Sequence, residues 1–510
     1  MAFQPNKSLA EALKVAKEAS EDGVIEHSAL NPKHTEILKR AGCLTPVIRG
    51  WYLLSKPEPE GGTTIWYVGF WPFIRVYLFK RFGKLGYCLS ADTSLDLHTG
   101  EEYIARQITA ITRKTSNQKI ELPQDTSLLL YTDAKNFPEN VEKLNGIYVM
   151  PLPLALCRLS PGYYKTKPLN VEIALKMLSS VTEISRILLQ GGLVTDAGRL
   201  AGAFRAIGGA TKADQIVRDM QAAGLAISET NPFENHTPIL ELARINSPYS
   251  GRIEAMWKKM RSTVIEIFPD PPGTNPSKEE RVIRVIQERY TQDAYHSLSI
   301  EGYEVTADLI QKIEQGDWNP ELNPEDSEQI DAMATKGYHD AFQKTLVSVR
   351  KTIGGENTGK VFENDLQDWY RALFSPSVQA GILKAADLAG YRNSQVFIKG
   401  ARHVPPRGKD AVIDSMETLF RLLAEEEHPA VRAVLGHFIF VYIHPCMDGN
   451  GRIGRLLLNL MLVSGGYSWT IIRTERRPEY MQSLEAASTE GNIEPFARFV
   501  RSELDYWSKQ

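Results

Sequence analysis

Cysteine is scarce and scattered. Cys43, Cys88, Cys157 and Cys446 are the only four in 510 residues, and none forms a CxxC pair. That excludes a disulfide framework and argues against a zinc module, so a reducing cytoplasm is the expected compartment. Charge of one sign is also missing. The net charge is −3, too small for a whole-chain field that draws in nucleic acid or an anionic membrane. No run reaches the roughly 18 apolar residues of a membrane span, and the apolar run at 438–443 is far too short. Residues 1–11 lack a basic stretch followed by an apolar one, so no signal peptide is expected. No repeat with a period of about 20–50 residues is visible. The expectation is a soluble protein with no membrane partner.

What remains is ordinary globular material, 43% apolar and 24% charged, long enough for two to four domains of roughly 100–200 residues each. Residues 8–28 read as a helix through Leu9, Leu13, Val15, Ala16 and Ala19. A short helix at 34–41 and strand-like alternation over 44–54, ending at Ser55-Lys56-Pro57, complete the outline of a winged helix-turn-helix. Residues 1–90 hold twelve Lys/Arg against eight Asp/Glu, a surplus that fits a solvated face better than a DNA footprint. The aromatic stretch 63–77 reads as two strands broken at Pro72. Residues 127–132 and 146–154 read as buried strands, and 170–225 as helices broken at Gly191-Gly192 and Gly208-Gly209. An amphipathic helix follows at 248–268. Ser277 and Glu280 form a capping box for a helix over 278–300. From there to the end, helices alternate with loops such as 318–324.

The stretch after residue 430 carries chemistry. An apolar helix over 430–443 stops at Pro445, the tight turn Asp448-Gly449-Asn450-Gly451 follows, and a second apolar helix runs from Arg452 to 464. Two glycines let loop N–H groups converge, and the second helix aims its free N–H groups and positive dipole end at the same point, which makes an anion site. Arg452 and Arg455 lie three apart in that helix and add charge. Asp448, the only carboxylate in the loop, is placed to hold Mg²⁺ beside phosphates. His444 at the mouth titrates near neutrality and can act as base or acid. Triphosphate, metal and general base together point to nucleotidyl transfer.

This stretch resembles the Fic signature, His-Pro-Phe-x-Asp/Glu-Gly-Asn-Gly/Lys-Arg, at His444, Pro445, Asp448, Gly449, Asn450, Gly451 and Arg452, and on into Gly454-Arg455. Cys446 replaces the usual Phe, a packing anchor beneath the loop, as a small hydrophobe. The resemblance implies that AMP passes from ATP to a hydroxyl on a protein substrate. His444 would deprotonate that hydroxyl, and Asp448 would bind Mg²⁺. Gly449, Asn450 and Gly451 would form the anion nest, with Arg452 on the α/β-phosphates and Arg455 on the γ-phosphate.

Three further segments resemble parts of the same family. Residues 391–406 look like its target-docking flap, with Val396, Phe397 and Ile398 in a short hairpin that pairs with the target backbone. Residues 479–487 resemble a helix lining the base pocket, with Tyr480 facing adenine or packing in the core. Ser297-Leu298-Ser299-Ile300-Glu301-Gly302 looks like the inhibitory motif Ser/Thr-x-x-x-Glu-Gly/Asn, in which Glu301 pairs with Arg455 and withholds it from the γ-phosphate. In the N-terminal half, "IRGWYLLSKPEPEG", "YCLSADTSLDLHTG" and "GIYVMPLPLALCRLSP" resemble AbiEi-type antitoxins.

The expected architecture is multi-domain. It comprises a winged helix at 1–60, an α/β domain at 61–245, and a mainly α-helical Fic domain at 246–510 that includes the inhibitory helix at 278–302. The expected function is an autoinhibited protein adenylyltransferase using ATP and Mg²⁺. Two alternatives stand beside it: an enzyme that removes AMP, and a DNA-binding autorepressor or toxin–antitoxin fusion acting through the winged helix. A homodimer stays open.

Overall fold

The computed structural model describes residues 7–55, 64–101, 103–114, 117–234, 237–240, 244–245, 247–315 and 330–510. The strand end at Lys56-Pro57, the 60/61 boundary and the loop at 318–324 lie outside them. The chain divides into two compact units. One comprises residues 1–248 with 397–404, the other 249–396 with 405–510. No described helix is long and apolar enough to cross a membrane.

The first unit opens with helix Lys7–Ala19, strand Val24–Glu26, helix Pro32–Arg40 and the antiparallel strands Leu44–Ile48 and Trp51–Leu54. The helix expected over 8–28 stops at Ala19. Asp22 and Gly23 take positive φ values of 50° and 77°, and the chain turns back as a strand against Trp51–Leu53. The three strands form one antiparallel sheet. Leu9, Ala12 and Ala16 pack on Leu38 and Leu44 beneath it.

Residues 63–77 are not two strands. Thr64–Phe82 is a single helix with Pro72 inside it. Aromatic and β-branched content suits strands only where a pleated face is the site of packing. Here Trp66, Phe70, Trp71, Phe73, Ile74 and Tyr77 are buried on several sides of the helix, and a helix apolar all round shows no alternation to betray its period. It packs in a core with a four-stranded sheet. In spatial order that sheet runs Tyr87–Leu89, Gln107–Thr112, Thr126–Thr132, Gln118–Leu122, with the middle two strands parallel. The expected strand at 127–132 is present. Only Ile147–Val149 of 146–154 is strand, and helix Leu152–Cys157 follows. Helices over 168–222 close the unit as expected, with Gly192 capping one of them at φ 59°.

The second unit is all helix among its described residues. The helix expected over 278–300 is two, Glu279–Glu288 and Tyr290–Glu301, joined at Arg289. Ser277 does not cap them; its hydroxyl donates to Asn275 Oδ1 at 2.7 Å, and Asn275 caps the preceding 3-10 turn. The helices Pro429–Ile443 and Asn450–Ser464 form an apolar hairpin at the centre, with Val434, Leu435, Phe438, Ile439, Leu456, Leu457 and Leu460 fully buried. That rigid pair carries the loop between them.

Candidate active site

Helix Pro429–Ile443 ends because His444 enters the left-handed region, at φ 53° and ψ 58°. The next helix starts at Asn450, after Gly449 at φ 79°. A Cβ on Gly449 would meet Leu373 Cδ2 at 2.8 Å and Phe374 Cε2 at 2.9 Å, so this glycine answers both to conformation and to space. Asn450 closes the loop on itself. Its Oδ1 accepts from the Cys446 N–H at 2.9 Å and its Nδ2 donates to the Cys446 carbonyl at 2.8 Å. The side chain is therefore spent on holding the turn, which leaves the backbone N–H groups and the arginines as the groups whose chemistry suits an anion. Cys446 is buried in the core, as expected of a small hydrophobe. Burial pushes its thiol up to about 12, so it is inert.

His444 Nδ1 lies 3.2 Å from the Val441 carbonyl. The nitrogen facing a carbonyl must carry the proton, which leaves Nε2 with its lone pair free. Loss of hydration pushes the imidazole down to about 4, against the Val441 hydrogen bond that raises it; Arg392 lowers it further. It is neutral at pH 7 and able to accept a proton.

Asp448 is exposed at the loop surface. One oxygen accepts from the Gly449 N–H at 2.6 Å and the other sits 3.2 Å from Arg452 Nη2. Its remaining lone pairs face outward, which suits Mg²⁺, an ion that keeps several waters and takes few protein ligands. Among the described residues no cluster of three or more His, Cys, Asp or Glu could hold a metal alone. Asp448 with phosphate oxygens is the donor set that fits.

Arg452 is buried, its guanidinium 5.2 Å from the ring centres of both Tyr303 and Phe374. Arg455 is buried too. Its Nε donates to Ser297 Oγ at 2.9 Å, and its Nη2 donates to the Ser297 carbonyl at 2.9 Å and to Glu301 Oε1 at 2.7 Å. Helix Tyr290–Glu301 presents Ser297 and Glu301 one turn apart on this face. Gly302 caps it at φ 93°. Loss of hydration raises the Glu301 pKa, but the charge and hydrogen bond of Arg455, with Arg452, outweigh it and hold the carboxyl below its ordinary value. A charge-assisted bond of this kind contributes about 2 kcal/mol.

Tyr480 does not face an open pocket. It is 1% exposed, and its hydroxyl lies 2.8 Å from His437 Nε2. It belongs to the packing behind Arg455. The 391–406 segment is not a hairpin. It carries no strand. Phe397 and Val404 pack in the first unit's core, where the Ile104 N–H donates to the Arg402 carbonyl at 3.1 Å. Val396 and Ile398 are half-buried. Alternation at two positions was too short a signal to require a ladder.

Several residues around the site had no motif to announce them: Asp293, Tyr303, Phe374 and His437; Arg392 lay in the flap-like segment but with no role assigned to it. Only Asp293 had a local signal, one turn before Ser297 on the same helix face.

The Fic/DOC family model matches residues 360–462, the stretch that holds the loop. The C-terminal part of this chain carries a Fic domain. Glu301 lies outside the matched stretch. Among similar proteins are the protein adenylyltransferase Fic of Nematostella vectensis, 31% identical over 240 residues covering 46% of this chain and 50% of that one, and that of Drosophila mojavensis, 29% identical over 222 residues covering 42% and 40%. The chain thus spans about half the length, or less, of these curated relatives. A solved structure of Fic-1 from C. elegans, residues 134–508, covers 67% of this chain and 86% of its own at 19% identity and a TM-score of 0.37.

Proposed function

We propose that the chain is a protein adenylyltransferase, moving AMP from ATP to a hydroxyl of a protein substrate, and that it inhibits itself through Glu301. The observation that carries this reading is the 2.7 Å pair between Glu301 and Arg455, the latter on the helix that follows the loop. Names of the similar proteins support the chemistry.

In this reading His444 Nε2 takes the proton of the target hydroxyl as that oxygen attacks the α-phosphorus and pyrophosphate leaves. The N–H groups at the start of helix Asn450–Ser464, with Arg452, hold the α- and β-phosphates. Arg455 is the cation for the γ-phosphate, and Glu301 engages it first. Asp448 would hold Mg²⁺, which when bound would neutralise phosphate charge. Positioning and charge do most of the work.

The test is transfer of label from α-labelled ATP. Glu301→Gly should label itself or lysate proteins on the order of 100-fold more than the unaltered chain, the scale at which one transition-state donor acts. Equal labelling would sink the inhibition. Undiminished labelling by Glu301→Gly/His444→Ala would remove His444 as base.

A second activity is favoured by the first unit. Its helix, strand, helix and antiparallel hairpin follow the order of a winged helix, with Lys33, Lys39 and Arg40 on helix Pro32–Arg40. DNA binding by this segment would show as a gel shift that weakens steeply with salt. A shift absent at low salt would remove it.

A further inference from the structure

The turn that begins at His444 poses a hydrogen-bonding problem. The last carbonyls of a helix have no partner within it. Pro445 follows and has no N–H to donate, and His444 sits in a left-handed conformation that a non-glycine residue holds only when its surroundings compel it. Three consecutive carbonyls, of Ile443, His444 and Pro445, need donors from elsewhere.

One residue supplies all three. Arg392 Nε donates to the His444 carbonyl at 2.7 Å and Nη2 to the Ile443 carbonyl at 3.2 Å. The Arg392 backbone N–H donates to the Pro445 carbonyl at 2.9 Å. The same guanidinium reaches both ends of the 391–406 segment, through Nη1 to the Ser394 carbonyl at 3.0 Å and Nη2 to the Pro406 carbonyl at 2.7 Å. Arg392 is 3% exposed. Only arginine carries donors in a rigid fork that can serve four carbonyls at once; lysine offers one point charge on a flexible stem.

We propose that Arg392 is a positioning residue for transfer: it locks the His444 backbone in its left-handed turn and ties that turn to both ends of the segment that the family resemblance assigns to target docking. The inference rests on the adenylyl-transfer reading for its kinetic consequence and on geometry alone for its structural one. Arg392 touches neither phosphate-binding arginine through any of these bonds. Its loss should therefore act on the chemical step and spare the nucleotide.

The experiment compares Arg392→Met and Arg392→Lys in the Glu301→Gly protein. For Arg392→Met, kcat should fall about 100-fold, the cost of a misplacement of about 1 Å, with the KM for ATP within about twofold of the parent. Arg392→Lys, which can satisfy one or two of the carbonyls, should fall about tenfold. Unchanged kcat, or kcat and ATP affinity lost together in both variants, would overturn the inference. Crystal structures of the two variants decide it without any assay. His444 leaving the left-handed region in Arg392→Met supports the lock, and His444 still near φ 53° overturns it. Should the Glu301→Gly parent itself transfer nothing, the functional reading fails while the structural comparison still judges Arg392.

Discussion

Glu301 occupies the space that Gly451 leaves empty. A Cβ built on Gly451 would collide with Glu301 Oε1 and come within 3.2 Å of Arg455 Nη1. The Glu301 carboxylate is thus seated by the absence of a side chain at Gly451 as well as by the charge of Arg455.

Gly451→Ala should therefore relieve inhibition with Glu301 still present. Gly451 lies in the first turn of its helix and its φ is not positive, so alanine keeps the backbone and its N–H. Labelling from α-labelled ATP should rise several-fold toward the Glu301→Gly level, on the order of one lost hydrogen bond to a charged group. No rise over the unaltered chain would mean that Glu301 can shift without releasing Arg455.

Glu301→Gln separates charge from shape. The amide oxygen can still accept from Arg455, but without the ionic part of the bond, roughly half its strength. Its labelling should fall between that of the unaltered chain and Glu301→Gly. A Gln variant as silent as the unaltered chain would assign inhibition to steric blocking alone.

Inhibition should not respond to pH near neutrality. Glu301 has a folded pKa below its ordinary value, so its pairing is present above the unfolded value and is lost only as pH falls through the folded one. His444, near 4, is already neutral. The ratio of unaltered to Glu301→Gly rates should stay flat between about pH 6 and 8. A ratio climbing toward pH 6 would point to another titrating group.

Asp293 has the opposite sign. It is fully buried, accepts from the Tyr338 hydroxyl at 2.9 Å, and loss of hydration pushes it up to about 6. The fold holds its proton more tightly than the unfolded chain does. That advantage is full below the unfolded pKa and is lost as pH rises through about 6. Asp293→Asn keeps an oxygen for Tyr338 and escapes the charge. Its melting temperature relative to the unaltered chain should be higher at pH 7.5 than at pH 4.5. The same difference at both would show that folding does not raise the Asp293 pKa.

The loop at 444–452 was legible because its geometry is local. Pro445, Gly449 and Gly451 dictate a turn, and the helix behind them aims its N–H groups, all within a dozen residues. Ser297 and Glu301 share a helix face for the same reason. Other features failed to show because nothing local encodes them. The helix Thr64–Phe82 reads as strand until its burial on several sides is known. The one-helix expectation over 278–300 missed the joint at Arg289, which donates to the Trp469 and Trp507 carbonyls at 2.6 and 2.5 Å. Those partners lie far along the chain.

By itself, then, the sequence determined the make-up of the loop: a histidine, a carboxylate and two arginines around a glycine turn that opens a helix, and upstream a helix turn that ends in an acid, Glu301. Tertiary structure alone decided how they are held. It set Glu301 at 2.7 Å from Arg455, turned Tyr480 into core, committed Asn450 to its own loop, and brought Arg392 under the carbonyls of His444 and its neighbours. The division is physical. Short-range sterics and helix dipoles act along the chain, whereas burial, and the partners that burial demands for every polar group, are properties of the packed whole.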